Sequence, residues 1–218
     1  MYKYLLSLKI FLTFLILSCN TNSLKQSKTV VQDTFQSSEK LISDKNYTIK
    51  KEMPSIKWTA YKFSNKTGVS GSFDKITYNQ SLSKGTIKQL LEHSTFCIET
   101  ASINSNLKLR DERNYTYFFS TIAAKTIKGS FLEVNNNKGK IDIAIGNNSN
   151  INHFTYTIFP DKIQIHTIVN LKLWNALLGI IALNEICKNE HTSIVEVSKL
   201  WGDVTIIVEI ALEPIQKK

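Results

Sequence analysis

The sequence predicts an all-β domain, a sandwich or a barrel of antiparallel strands. Short runs in which apolar and polar residues alternate recur from residue 56 to residue 210. Short polar turns separate them, among them Asn65-Lys66-Thr67-Gly68, Gly146-Asn147-Asn148 and Pro160-Asp161. The few helical stretches interrupt the strands instead of alternating with them, which argues against a parallel α/β sheet and for a sandwich or barrel.

Ile56 to Phe63 reads as a strand rich in aromatic and β-branched residues, and Val69 to Phe73 returns antiparallel to it across the first turn. Thr86 to His93 suits one or two helical turns. Thr95 to Thr100 is a strand with Phe96 and Ile98 on one face, Cys97 and Glu99 on the other. Leu107 to Phe119 reads as a helix that is dense in charge at Arg110-Asp111-Glu112-Arg113. Strands follow at Lys125 to Val134, Lys140 to Ile145, His153 to Ile158 and Lys162 to Val169. Leu171 to Leu183 is the longest helical candidate, with Cys187 and Trp201 expected in the loop beyond it. Val204 to Ile210 is the last strand.

The 218 residues suit one domain or two small ones, and a hydrophobic fraction of 42% with 21% charged residues is globular. The net charge of +9 is concentrated in the N-terminal segment and in Lys217-Lys218, so residues 52–216 are nearly neutral. That distribution speaks against nucleic acid as a partner, which needs a basic face on the domain itself. Residues 1–18 combine Lys3 and Lys9 with the apolar run Ile10 to Leu17. The run is too short to span a bilayer, and the pattern is that of a secretory signal. Ile16-Leu17-Ser18-Cys19 resembles a bacterial lipobox, which implies cleavage before Cys19, acylation of its sulfur and a stable membrane anchor. Asn20 after the cysteine implies the outer membrane. Residues 19–51, rich in Ser, Thr, Asn, Gln and Lys, are expected to form a flexible tether. The folded domain is expected over 52–214, with a basic tail at 215–218.

No constellation for catalysis or metal binding stands out. His93, His153, His166 and His191 are scattered, and His153 and His166 fall on polar strand faces. Neither a nucleophile elbow, nor a phosphate loop, nor a zinc-protease motif is present. Cys97 and Cys187 could pair in an oxidising compartment, but nothing local brings them together. The Arg110 to Arg113 run has two readings: ion pairing on a helix surface, or a clamp for a ligand's head group. Trp174, Trp201 and Phe118-Phe119 could close a core or line a cavity mouth.

Taken in order, Trp58-Thr59-Ala60-Tyr61-Lys62, Gly68 to Phe73, Phe96 to Ser102, Arg110-Asp111, Phe118-Phe119, Leu183-Asn184 with Cys187 and His191, Ser198 to Trp201 and Asp203 to Ile206 resemble the YceI-like, polyisoprenoid-binding family. The resemblance spans residues 52–214. It departs from the family pattern at Gly129 to Asp142 and at Thr192 to Val197. It implies an all-β fold: an eight-stranded antiparallel, lipocalin-like barrel with one or two short helices. It also implies a non-enzymatic envelope lipoprotein that holds an isoprenoid-quinone-like or fatty-acid-like ligand, with no other cofactor. Alternation then turns one apolar set toward the interior. From that set and the helices, Trp58, Ala60, Val69, Phe73, Phe96, Ile98, Phe118, Ile143, Phe154, Tyr156, Ile165, Trp174 and Ile206 are the candidate ligand contacts. Eight strands can pack solid or hold one small ligand. The alternative function is therefore a protein-interaction module with a filled barrel.

Overall fold

The computed structural model describes residues 45–80, 82–191 and 199–215. Cys19, the leader before it, most of the expected tether, Thr192–Val197 and Lys217-Lys218 lie outside these residues. The strands are β1 (Tyr47–Ile49), β2 (Ser55–Lys62), β3 (Thr67–Phe73), β4 (Ile76–Asn79), β5 (Lys84–Gly85), β6 (Thr95–Glu99), β7 (Ile103–Asn104), β8 (Thr126–Asn135), β9 (Lys138–Ile145), β10 (Asn148–Ile158), β11 (Lys162–Asn170) and β12 (Leu200–Pro214). The helices are α1 (Ile87–Leu91), α2 (Lys108–Arg113) and α3 (Leu177–His191). Helix α2 runs on into a π-helical stretch, Asn114–Phe119, and a 3-10 turn, Leu171–Trp174, precedes α3.

Every strand pairing is antiparallel, in the order β4-β6-β8-β9-β10-β11-β12-β2-β3-β7. The two ends of this order are joined by the chain itself. Only Asp74-Lys75 separates β3 from β4, and only the turn Thr100–Ser102 separates β6 from β7. β3 pairs with β7 at Phe73 opposite Ile103, and β4 pairs with β6 at Ile76 opposite Ile98. Between them, Asp74 N–H donates to Ser102 O (2.9 Å) and Glu99 N–H to Lys75 O (3.1 Å). The passes β2, β3–β4, β6–β7, β8, β9, β10, β11 and β12 thus close an eight-stranded ring. Register shifts between Phe131 and Glu133 on β8, and between Leu200 and Val204 on β12, add the local bending that a closed sheet needs.

Cross-strand partners share a face, so the register identifies the interior. Gly71, Trp58, Ile206, Thr167, Phe154 and Gly139 form one inward row running across six strands. Ile98, Ile127 and Ile145 form another. His153 and His166 point outward, as their strand faces predict. One end of the barrel is sealed. Helix α1 begins on a capping box, in which Gln89 N–H donates to Thr86 Oγ1 (3.3 Å) and Thr86 N–H to Gln89 Oε1 (3.0 Å). It packs Ile87, Leu90 and Leu91 into the core that also buries Val134, Ile163, Ile210 and Leu212. Helices α2 and α3 lie at the opposite end.

Four expectations are corrected. The domain starts before residue 52: β1, expected in the tether, pairs with both β12 and β5 and buries Tyr47 and Ile49. The helix expected over Leu171–Leu183 is broken at Asn175, whose φ is 56°, and its second part continues to His191. Cys187 is therefore a buried helical residue instead of a loop residue, and Trp201 belongs to β12. No disulfide joins Cys97 and Cys187.

Candidate functional site

The barrel is hollow. A cavity of about 440 Å³ runs along its interior and opens beside α2 and α3. Its wall is built from the inward faces of the strands. Of the sequence-predicted contacts, Trp58, Ala60, Val69, Phe73, Phe96, Ile98, Phe118, Ile143, Phe154, Ile165 and Ile206 line it. Tyr156 and Trp174 stand outside the lining. The Tyr156 hydroxyl donates to Asn135 O (2.7 Å), while Trp174 is fully buried and its Nε1 donates to Ile143 O (2.6 Å). Trp174 thus ties the 3-10 turn to β9 and closes the core beneath the helices.

Space inside comes partly from glycine. Gly71, Gly129 and Gly139 each face an aromatic ring on a neighbouring strand: Trp58, Phe96 and Phe154 respectively. A Cβ added at any of the three would collide with that ring. The rings can therefore lie along the wall instead of reaching across the bore. The Trp58 Nε1 donates to Ser72 O (3.0 Å), which holds its indole against the wall.

Few polar atoms enter the bore. Thr167 is satisfied, donating to His153 O (2.7 Å) and accepting from Asn152 Nδ2 (2.6 Å). The Tyr78 hydroxyl is buried without a hydrogen-bond partner among the described residues. The nearby Ser94 hydroxyl donates instead to Leu90 O (2.7 Å), and burial pushes the Tyr78 phenol pKa up.

The mouth is different. Lys62 and Trp201, at the tips of β2 and β12, and Arg110, Arg113 and Asn114, on the helical segment, all border the cavity. Lys66 and Lys199 both lie over the Trp201 indole, 4.3 and 3.9 Å from its ring centroid. Helix α3 adds Ile180, Leu183 and Cys187. Sequence reasoning missed these three, although their i, i+3, i+7 spacing is the signal of a helix face. Arg110 and Arg113 belong to the run for which the sequence offered a head-group clamp as one of two readings, whereas Asn114 was not singled out. Among the described residues, no three His, Cys, Asp or Glu side chains gather where they could hold a metal ion. No described helix is long and apolar enough to cross a membrane.

Neither a family model nor a curated protein matches the chain. Solved structures do. A polyisoprenoid-binding domain from Saccharophagus degradans, implicated in plant cell wall breakdown, superposes with a TM-score of 0.53 at 11% identity, over 78% of this chain and 98% of that one. BcnA of Burkholderia cenocepacia aligns at a TM-score of 0.49 and 10% identity, over 72% of this chain and 95% of its own. A Campylobacter jejuni YCEI protein aligns at 0.43 and 11% identity, over 69% and 87%. With the ring closure and the hollow bore, the first of these likenesses gives the chain its fold, a lipocalin-like antiparallel barrel.

Proposed function

We propose that this chain is a YceI-like envelope lipoprotein that sequesters or carries a long-chain, isoprenoid- or lipid-like amphiphile. The cavity carries the reading: its wall is apolar, it is sealed at the α1 end, and it opens at the α2–α3 end. An amphiphile's chain fits such a space without any charged partner. Each buried methylene contributes about 0.8 kcal/mol, so ten of them supply roughly 8 kcal/mol before the cost of ordering the chain is subtracted. The head would stay at the mouth, where the polar groups are. The likeness to a polyisoprenoid-binding domain is consistent with such a ligand. In this reading the lipid on Cys19 anchors the carrier to a membrane, and Asn20 directs it to the outer membrane.

The alternative, a protein-interaction module, required a filled barrel, and the interior is not filled. Exposed Leu177, Leu178 and Ile181 on the outer face of α3 do give that alternative an apolar surface. Among the described residues that line the cavity there is no His, Asp or Glu to act as a general base.

The test is native mass spectrometry of the chain purified from its own host's envelope without detergent, followed by organic extraction. A discrete small molecule, removed by extraction, is expected. Ala60→Trp should exclude it while the protein stays folded, because Ala60 lies on the wall opposite Val69 and Val204. A clean unliganded mass that takes up neither isoprenoids nor fatty acids would overturn the reading.

A further inference from the structure

The cavity lining ends at one depth on five successive strands. Its innermost residues there are Phe131 on β8, Ile141 on β9, Phe154 on β10, Ile165 on β11 and Ile210 on β12. From β9 to β12, each lies two residues beyond the cross-strand partner of the one before it. That stagger is what strand tilt imposes in a barrel, so these positions make a floor across the bore instead of a row along the hydrogen bonds. The next inward positions, Val134, Gly139, Tyr156, Ile163 and Leu212, stand outside the lining. Behind the floor, Val134 and Ile163 are 0% exposed and Leu90 and Leu91 of α1 only 1%, so the bore does not continue past it. Two rings fix the floor in place. The segment just after α1 holds Phe131, since His93 N–H donates to Phe131 O (2.9 Å) and Phe131 N–H to Ser94 O (3.1 Å). The Phe131 ring meets that of Phe154 edge to face, with centroids 5.4 Å apart, and the Phe154 ring rests against Gly139.

We propose that Phe131 and Phe154 are the stop of a ruler that limits the buried part of the ligand's chain to roughly 12–15 carbons, about three isoprene units or their straight-chain equivalent. This rests on the carrier reading above and adds the chain length that the site takes. The wall from Val204 to Ile210 on β12 covers about 20 Å of strand, or ~15 Å along the bore at a tilt of about 40°. With C–C bonds of about 1.5 Å, a zigzag chain crosses that depth in roughly 12 carbons. Volume gives a similar count: a methylene is close in size to a water molecule, roughly 30 Å³, so about 440 Å³ holds about 15. A shorter chain leaves the floor without contacts and forgoes their dispersion energy. A longer chain keeps its excess at the mouth, where added methylenes are not withdrawn from water.

The experiment measures binding of saturated fatty acids from decanoate to arachidate by the full-length chain after delipidation, read by quenching of tryptophan fluorescence. The head is constant along the series, so differences report the chain. Dissociation constants are expected to fall at least about twofold per added carbon, up to a break at about 12–16 carbons, and then to level off. Among isoprenoid alcohols, farnesol and geranylgeraniol should bind within about threefold of each other, and geraniol at least about tenfold more weakly. Phe131→Ala lowers the floor and should move the break about two or more carbons longer. Ile165→Trp adds bulk at the same depth and should move it about two or more carbons shorter. Thermal melts check folding, and Ile165→Trp decides the test if Phe131→Ala does not fold. Affinity that climbs to arachidate without a break would overturn the inference and leave the carrier reading standing. So would a break that no folded variant moves. Absence of binding by every fatty acid and every isoprenoid alcohol would overturn both.

Discussion

Gly129 and Phe96 show how single residues set the shape of the bore. They are cross-strand partners on the inward face of β8 and β6, and the phenyl ring occupies the space where a Cβ on residue 129 would go. Asp142 O bounds the same space at 3.1 Å, so the backbone leaves no second way out. Gly129→Ala is expected to destabilise the protein by about 1–3 kcal/mol through overpacking, read as a lower denaturant midpoint. If the ring swings into the cavity instead, the variant keeps its stability and loses ligand capacity. On the outer face, Glu209 accepts from Lys162 Nζ (2.8 Å) and Gln164 Nε2 (2.8 Å). The Lys162 bond first, then that from Gln164, holds the Glu209 carboxyl below the ordinary glutamate range. A lowered folded pKa means that this contribution to stability is complete at neutral pH. It is lost as pH falls through the ordinary value of about 4 and then through the lowered one. Lys162, raised by the same bond, loses its share at the alkaline end. Glu209→Gln should therefore lower the neutral plateau of a plot of melting temperature against pH slightly and flatten its acid limb. The effect is small, because the pair lies at the surface with each side chain 34% exposed, where water screens it.

At the scale of elements, β1 carries more than its three residues suggest. It pairs with the last turn of β12 and with β5, and it buries Tyr47 and Ile49 at the sealed end. Ile49→Ala in the full chain is expected to cost about 2–5 kcal/mol, measurable by chemical denaturation, whereas a mobile tether would show no change. The sequence around it reads as tether because Asn46-Tyr47-Thr48-Ile49 is short and sits in a polar, Lys-rich stretch; its partners on β12 are more than 160 residues away at Leu212–Pro214. Helix α3 was misjudged for a related reason. The apolar run that continues from Leu171 looks like one helix, but Asn175 adopts the left-handed conformation and separates a turn, pinned by Trp174, from the helix proper. Asn tolerates that conformation better than most residues, and its presence was the only local sign. The helix then runs to His191 and presents Ile180, Leu183 and Cys187 to the cavity.

The whole molecule adds what neither residues nor elements contain. Closure depends on two strands that change partners part-way, β3 into β4 and β6 into β7, so that both ends of the sheet meet. The resulting cup has a sealed apolar end and an open end bordered by polar groups. In the proposed function it works beside a membrane, and the anchor has its own test. Cys19→Ser is expected to move the protein from the membrane fraction to the soluble fraction in cell fractionation. Continued partition of the variant with membranes would sink the anchor.

Local pattern was enough for the eight longer strands and for which side of most of them faces inward, but not for the short strands β1, β4, β5 and β7. Period-two alternation in Ile141-Asp142-Ile143-Ala144-Ile145 or Ile163-Gln164-Ile165 is a property of neighbours in the chain, and burial in the structure follows it residue by residue. Eleven of the thirteen contacts expected from that alternation and from the helices line the cavity. The hollow itself belongs to the tertiary structure. Its volume is what remains after side chains from eight strands and two helices meet, and that depends on pairings such as Trp58 with Gly71 and Phe154 with Gly139. Which side chains border the mouth was decided at the same level. Arg110-Asp111-Glu112-Arg113 is a balanced run as a sequence, and only the docking of α2 over the open end turns its two arginines inward and its two acids away.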